Sequence, residues 1–497
     1  MLRNTVKDLG KHSLIYLIGG IASVSASILL MPVYTRFLSK ADYGIIEMID
    51  TSRYLVIILL LAGFDPTMGK FYHSSPSADE KKAVVGTVFL FVLLSAIFWG
   101  GCLFSLNTFL SEQLLGRVAF VSFINLGIML LVVQAIQTTG ETYLNIRKKS
   151  LLFATLSLIK LTINILANLT FVVWLRIGPK GMLYGELLSS GIITIVLLSY
   201  LIRNNGLHFS TTLFRPMLLF SLPFIPNAFS AAIMHRADRY FVQQYGSLAD
   251  VGLYGVGYRF PFILNSLILS SFGRVWYSAS MYDIAKQEEA QRTHAKITTY
   301  FVTLYMMGQY LLAIFAPTII RLLTAPDYFE AWKVMQIVAF ACALYAIHPF
   351  FTSGAFLKNK TWVLPISHII PAALNIGLNM LLLPRYGYIA AAWVTVITYF
   401  TYSFLNYLIC RAFYPIKFEF GRLSWLFGGG IALVLLSDAV WFSHPVLEAL
   451  KEFGFAAVFP LAIMFGKYLD ADEKQSLSNE LARVHPTIAR FYRQYAL

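Results

Sequence analysis

Four cationic residues, Arg53, Lys160, Arg259 and Arg274, lie within or at the edge of long apolar runs, and two carboxylates, Glu47 and Asp50, precede the first of them on its run. An ionised side chain at the centre of a bilayer costs at least about 2.5 to 3.5 kcal/mol, so such residues face a wet cavity or a partner. Arg53 lies nine residues beyond Gly44, and Arg259 seven beyond Gly252. At about 1.5 Å per residue both should sit roughly 10 to 14 Å deep. Lys160 reaches the midplane from the other side, while Arg274 is nearer a span end and can snorkel to the headgroups. Arg53, Arg259 and Lys160, with Arg274 at the margin, make a candidate cationic lumen for an anionic ligand, phosphate being the best match to a guanidinium fork. The competing reading is an internal ion pair. Glu47, Asp50 and Arg53 fall on one helical face at i, i+3 and i+6, so Asp50 could neutralise Arg53, whereas Arg259 has no acid one turn away. Glu47 and Asp50 are also candidates for carrying a coupling proton or sodium ion.

These residues are placed by a chain of 497 residues that is 58% apolar and 13% charged, a composition that excludes an ordinary soluble protein. Stretches long enough to cross about 30 Å of hydrocarbon follow one another from Leu14 to near Phe465, about fourteen in all. The expected class is an all-α polytopic membrane protein. A net charge of +14 could suggest nucleic acid, but the Lys and Arg are scattered through short loops rather than gathered in one patch. With a cytoplasmic amino terminus, inner loops hold about 24 of them against roughly 11 outside, which places both termini in the cytoplasm. Cys102, Cys342 and Cys410 lie in or beside apolar spans and imply no disulfide framework. Arg3, Lys7 and Lys11 imitate a signal peptide, but the apolar run continues past Met31 and is read as an uncleaved first span, Leu14 to Tyr34. Pro223 and Pro226 predict a kinked seventh span, and Tyr282 to Lys296 a charged surface helix. His348, His368 and Asp438 are read as helix contacts.

An internal duplication organises the spans. Ser39-x-Ala41-Asp42-x-Gly44-Ile45 recurs as Ser247-x-Ala249-Asp250-x-Gly252-Leu253, 208 residues later, and Asn164 with Asn168 recurs as Asn375 with Asn379 at an offset of 211. Six spans separate the copies, so the halves are parallel repeats, with a substrate site expected between them. The expected organisation is a first six-helix half at 1–205, a second at 206–412, two additional transmembrane helices at 413–470 and an amphipathic cytoplasmic tail at 471–497. The asparagines read as interhelical hydrogen-bonding groups.

Pro32-x-x-Thr35-Arg36-x-Leu38 followed by Tyr43-Gly44 resembles the first-loop signature of the polysaccharide transporters in the multidrug/oligosaccharidyl-lipid/polysaccharide (MOP) exporter superfamily. Asp238-Arg239, Gly252-x-Tyr254 and Asn375-x-x-x-Asn379 leading to Pro384-Arg385-Tyr386-Gly387 are similar to that family's later motifs, in order. Ala390-Ala391-Ala392 stands where the family often has Gly-Ala-Ala, which keeps small residues at the helix contact. The resemblance implies a V-shaped alternating-access fold and a Wzx-type flippase of the bacterial inner membrane. Its expected cargo is an undecaprenyl-diphosphate-linked oligosaccharide for cell-surface polysaccharide such as O-antigen, capsule or exopolysaccharide. It would work among membrane lipids and other assembly proteins, with no cofactor beyond a coupling H+ or Na+. One rival is a drug or metabolite antiporter of the same superfamily. The other is a polymerase or ligase of the polysaccharide pathway, but no outer loop exceeds about twenty residues, too few for a folded catalytic domain. Nor is there a metal-ligand cluster, a phosphate-binding glycine loop or a nucleophile with its base, so no catalytic or metal site is expected.

Overall fold

The structure, a computed structural model, describes residues 26–440, 442–484 and Tyr492. Arg3, Lys7, Lys11, most of the expected first span and the end of the tail lie outside the described residues. Every regular element that is described is a helix, as lipid requires of an open chain whose backbone groups must bond within each segment. The helices that build the bundle are α1 (Met31–Phe37), α2 (Lys40–Leu61), α3 (Phe64–Ser74), α4 (Ala78–Ser105), α5 (Val121–Ile146), α6 (Ser150–Asn168), α7 (Pro179–Asn205), α8 (Thr211–Ser221) and α9 (Phe224–Arg236). They continue as α10 (Asp238–Tyr245), α11 (Leu248–Val275), α12 (Ala290–Ile314), α13 (Ala331–Tyr345), α14 (Leu364–Tyr386), α15 (Tyr388–Cys410), α16 (Phe420–Ala439), α17 (Pro445–Phe465) and α18 (Ala471–Val484).

Among the described residues nine helices are long and apolar enough to cross a membrane, and α8 with α9, bent by 43°, make up to ten. The bend falls at Leu222-Pro223, where the sequence predicts a kink. Three further helices have the length, but charge interrupts their apolar runs: Glu47, Asp50 and Arg53 in α2, Asp250 and Arg259 in α11, and Glu448, Lys451 and Glu452 in α17. The expected surface helix at Tyr282 to Lys296 is corrected. Only Met281–Ile284 is a separate turn of helix, and Ala290 already belongs to α12. His294, buried there, packs its ring edge-on against Trp276 at 4.9 Å and so draws residues 290–296 into the bundle.

The repeated motif is a helix start and a helix crossing. Ser39 caps α2, accepting from the Asp42 amide at 3.2 Å while the Asp42 carboxylate accepts from the Ser39 amide at 3.1 Å. Ser247 accepts from the Asp250 amide in the same way at the start of α11. Each carboxylate also faces the positive end of its helix dipole. The serine and aspartate of the pattern thus set the two helix starts, and the glycines then let them touch. A Cβ on Gly44 would fall 1.8 Å from the Leu248 carbonyl oxygen, and one on Gly252 would fall 2.1 Å from that of Lys40. The contact is reciprocal, each glycine meeting the residue four before the other. The second repeat behaves alike: Asn168 donates to the Asn164 carbonyl at 2.8 Å and Asn379 to that of Asn375 at 2.9 Å. Asn164 then donates to Ser189 of α7 at 3.2 Å, and Asn375 to Thr398 of α15 at 3.3 Å.

The tail is docked by charge. Asp470 and Glu473 exchange capping bonds at the start of α18, at 2.8 and 2.9 Å. The same Glu473 accepts from Arg422 of α16 at 3.1 Å and from the Tyr300 hydroxyl of α12 at 2.6 Å. Burial acts to raise the Glu473 carboxyl, but the bonds from Arg422, Tyr300 and the Asp470 backbone outweigh it and hold the group from an ordinary 4.5 down to about 2. A carboxylate depressed by folding stabilises above its unfolded pKa and loses that contribution as pH falls through the folded value. Protease protection of α18 should therefore hold above about 4.5 and decay progressively as pH falls from there to about 2. Arg422→Ala should expose α18 to protease at neutral pH, with cleavage on the order of tenfold faster.

Candidate functional site

A cavity of about 400 Å³ opens among α2, α5, α6 and α7, with Arg259 reaching in from α11. Its polar wall is Asp50 from α2, Gln134, Gln137 and Glu141 from α5, Lys160 and Asn164 from α6, and Glu186 and Ser190 from α7. On α5 Gln134, Gln137, Thr138 and Glu141 recur at three and four, which places them on one face of the helix. That face supplies four of the cavity's polar lining residues.

Arg53 does not line the cavity. Its Nη1 and Nη2 donate to the two Glu186 oxygens at 2.9 and 2.7 Å, to Asp50 at 3.1 Å and to Gln134 at 2.9 Å. This is a fork-on-fork pair between α2 and α7 with a second carboxylate on its flank. Both parts of the sequence reading meet here: Asp50 does pair with Arg53, but the dominant partner is 133 residues away. Arg259 donates to Glu47 at 2.6 Å and stands over the Tyr43 ring at 5.3 Å, while still facing the cavity. Gly255 makes room for this pair, because a Cβ there would lie 2.5 Å from Glu47 Cγ. Lys160 donates to Gln137 Oε1 at 3.2 Å, and no described carboxylate lies within 4.0 Å of it. Gln137 in turn donates to Glu141 at 2.6 Å. Arg274 is the penultimate residue of α11, and its side chain lies outside the described residues.

The wall therefore carries three carboxylates, Asp50, Glu141 and Glu186, against two cations, Lys160 and Arg259. Lys160 is the one free to take a new acceptor without first breaking an ion pair. The sequence reading missed Glu186, Glu141, Gln134 and Gln137. Each sits in an apolar span, and the rule that singled out the cations would have found them had it been applied to acids and amides.

The motif residues lie elsewhere and position the helices. Pro32 opens α1, and Thr35 donates to the Met31 carbonyl at 3.0 Å and accepts from the Ala325 amide at 3.2 Å, while Arg36 is exposed. Tyr328 donates to the Leu38 carbonyl at 3.1 Å, so residues 325–328 strap the end of the bundle where α2 and α11 cross. Asp238 and Arg239 form a buried pair at 2.6 Å. Tyr254 donates to Asp238, and the guanidinium lies 4.0 Å above the Tyr258 ring. Pro384 falls in the last turn of α14 and Gly387, with φ of +66°, ends it.

A bundle of long apolar helices enclosing a charge-paired cavity defines a multi-pass integral membrane protein, and its fold is that of the MOP superfamily of transporters. Across 91% of this chain and 98% of the other, it superposes on the structure described as lipid II flippase MurJ in an inward closed conformation, with a TM-score of 0.73 at 14% identity. An inward-facing multidrug resistance MATE family transporter of the superfamily matches with a TM-score of 0.62 at 15% identity, over 81% of this chain and 94% of the other. A superfamily transporter from Pyrococcus furiosus, described as having a reversed binding-pocket polarity, matches at 0.59 and 15%, over 83% and 95%. Residues 33–323 match the family described as polysaccharide biosynthesis protein, and the chain belongs to that family. No curated protein sequence matches it significantly.

Proposed function

We propose that the chain is a flippase that carries an undecaprenyl-diphosphate-linked oligosaccharide across the bacterial cytoplasmic membrane for cell-surface polysaccharide assembly. The observation that carries this reading is a polar cavity containing Lys160 and Arg259, in a chain of a polysaccharide biosynthesis family with the fold of a protein named as a lipid II flippase. The diphosphate would take Lys160 first, then Arg259 once Glu47 yields it, while Arg53 holds α2 to α7. Glu47 and Asp50 remain proposed coupling-ion carriers: a proton on Glu47 would release Arg259, while one on Asp50 would leave Arg53 to Glu186 alone. Fourteen spans, arranged as two parallel halves at 1–205 and 206–412 with two helices added, both termini cytoplasmic, complete the reading. The reciprocal glycine contact and the duplicated asparagine clasp support that symmetry.

Transbilayer movement of a fluorescent undecaprenyl-diphosphate oligosaccharide in proteoliposomes tests it. Lys160→Met and Arg259→Ala should each slow movement at least about tenfold, as expected for loss of a charged hydrogen bond. No movement by folded wild-type protein would overturn the reading. The second reading, export of small cations, is favoured by the three carboxylates of the wall, and cation efflux from the same vesicles would establish it.

A further inference from the structure

Glu141 stands five residues from the end of α5, about 8 Å along the helix axis. No described cation lies within 4.0 Å of its carboxylate. It accepts from the Gln137 amide nitrogen at 2.6 Å, and the oxygen of that same amide accepts from Lys160 at 3.2 Å. An amide has a donor end and an acceptor end, and here the donor faces the anion and the acceptor faces the cation. That orientation matches a charged Glu141 on one side and the Lys160 ammonium on the other. A protonated Glu141 keeps an oxygen that can accept, but it also gains a hydrogen to donate, and the amide can turn its oxygen toward it. The NH2 group then faces the Lys160 ammonium, two donors oppose one another, and the lysine needs a different acceptor.

We propose that Glu141 is a proton-binding site linked through Gln137 to Lys160, so that a proton and an anionic diphosphate bind the cavity together. The proposal rests on the cargo reading above for its ligand, and on the amide bridge for its proton. The charged and titratable groups that face Glu141 are of both signs. From α6 comes Lys160, from α3 Asp65, and from deeper in the cavity Glu186 on α7, Asp50 and Arg53 on α2 and Arg259 on α11. The three other carboxylates disfavour a fourth negative charge and Lys160 favours it; a diphosphate that occupies Lys160 and adds negative charge of its own tips the balance, so binding the anion draws a proton in. Gln137 is the positioning residue of this link, touching both charges.

Calorimetry of geranylgeranyl diphosphate binding to the protein in nanodiscs, repeated in buffers of different ionisation heat, counts the protons taken up. The wild type should bind the probe more tightly on acidification and take up about one proton that Glu141→Gln does not. Gln137→Leu should bind with an affinity that no longer follows pH, and Lys160→Met should bind on the order of tenfold more weakly. Glu141→Gln that binds the probe with undiminished proton uptake would overturn the proposal. If the wild type binds no probe at any pH, the cargo reading fails and an infrared pH titration of the protein alone decides the proton site. A carboxyl band absent from Glu141→Gln and displaced in Gln137→Leu upholds it, and the lack of such a band sinks it.

Discussion

Gly44→Ala should abolish transport, with movement of the lipid-linked probe falling on the order of 100-fold while the protein is still recovered folded. The added Cβ would lie 1.8 Å from the Leu248 carbonyl oxygen and 2.7 Å from its carbon. Both are backbone atoms of a capped helix start, so no rotamer change relieves the overlap. The two helices must separate there, and in the alternating-access cycle that the family resemblance implies they would do so only when this end of the bundle opens. In an alternating-access carrier the substitution therefore disfavours one state rather than the fold. Inverting a 1:99 population takes about 5.5 kcal/mol, and a Cβ 1.8 Å from a backbone oxygen lies far inside any real contact. Spin labels at Ser39 and Ser247 should report a longer distance in Gly44→Ala and in Gly252→Ala than in the parent. Gly191, with nothing within 4 Å of an added Cβ, is the control, and its alanine variant should transport as the parent does. An unchanged distance in Gly44→Ala with normal transport would show that the crossing does not open during the cycle.

That crossing also marks how far the sequence could be read. The Ser-x-Ala-Asp-x-Gly repeat is visible because its physics is local: a hydroxyl and a carboxylate cap a helix within four residues, and a missing Cβ is written in the residue type. The intramembrane charges are legible for a similar reason, since their cost depends on depth and depth follows from counting residues. Their partners are not. Arg53 to Glu186 and Arg259 to Glu47 span 133 and 212 residues, and the sequence offers only the neighbours at i, i+3 and i+4. Asp50 could be named as a partner of Arg53 because it lies one turn away, and Glu186 could not. The balance of the cavity shifted accordingly, from a row of cations to paired charges with Lys160 left over. The resemblance to a family, by contrast, draws on ordered motifs across the chain and does not need the pairing to be solved.

Arg239→Met should destabilise the folded protein by about 3–5 kcal/mol, the usual cost of stranding a buried charge. Asp238 and Arg239 are 2% and 1% exposed at their side chains. Without the guanidinium, Asp238 would keep only the Tyr254 hydroxyl and the Arg239 backbone amide. Thermal unfolding in detergent should show the loss, and Asp238→Asn combined with Arg239→Met should recover most of it, because removing both charges removes the desolvation penalty with the attraction. A double variant no more stable than Arg239→Met would mean that the arginine acts through its packing on Tyr258 rather than through Asp238. The same pair of changes at Arg53 and Glu186 should cost less, since the Glu186 side chain is 33% exposed to the cavity and water can reach it. The contrast separates two uses of one chemistry: the pair in the second half is sealed and holds α10 to α11, whereas the pair beside the cavity is wet enough to exchange partners when a ligand or a proton arrives.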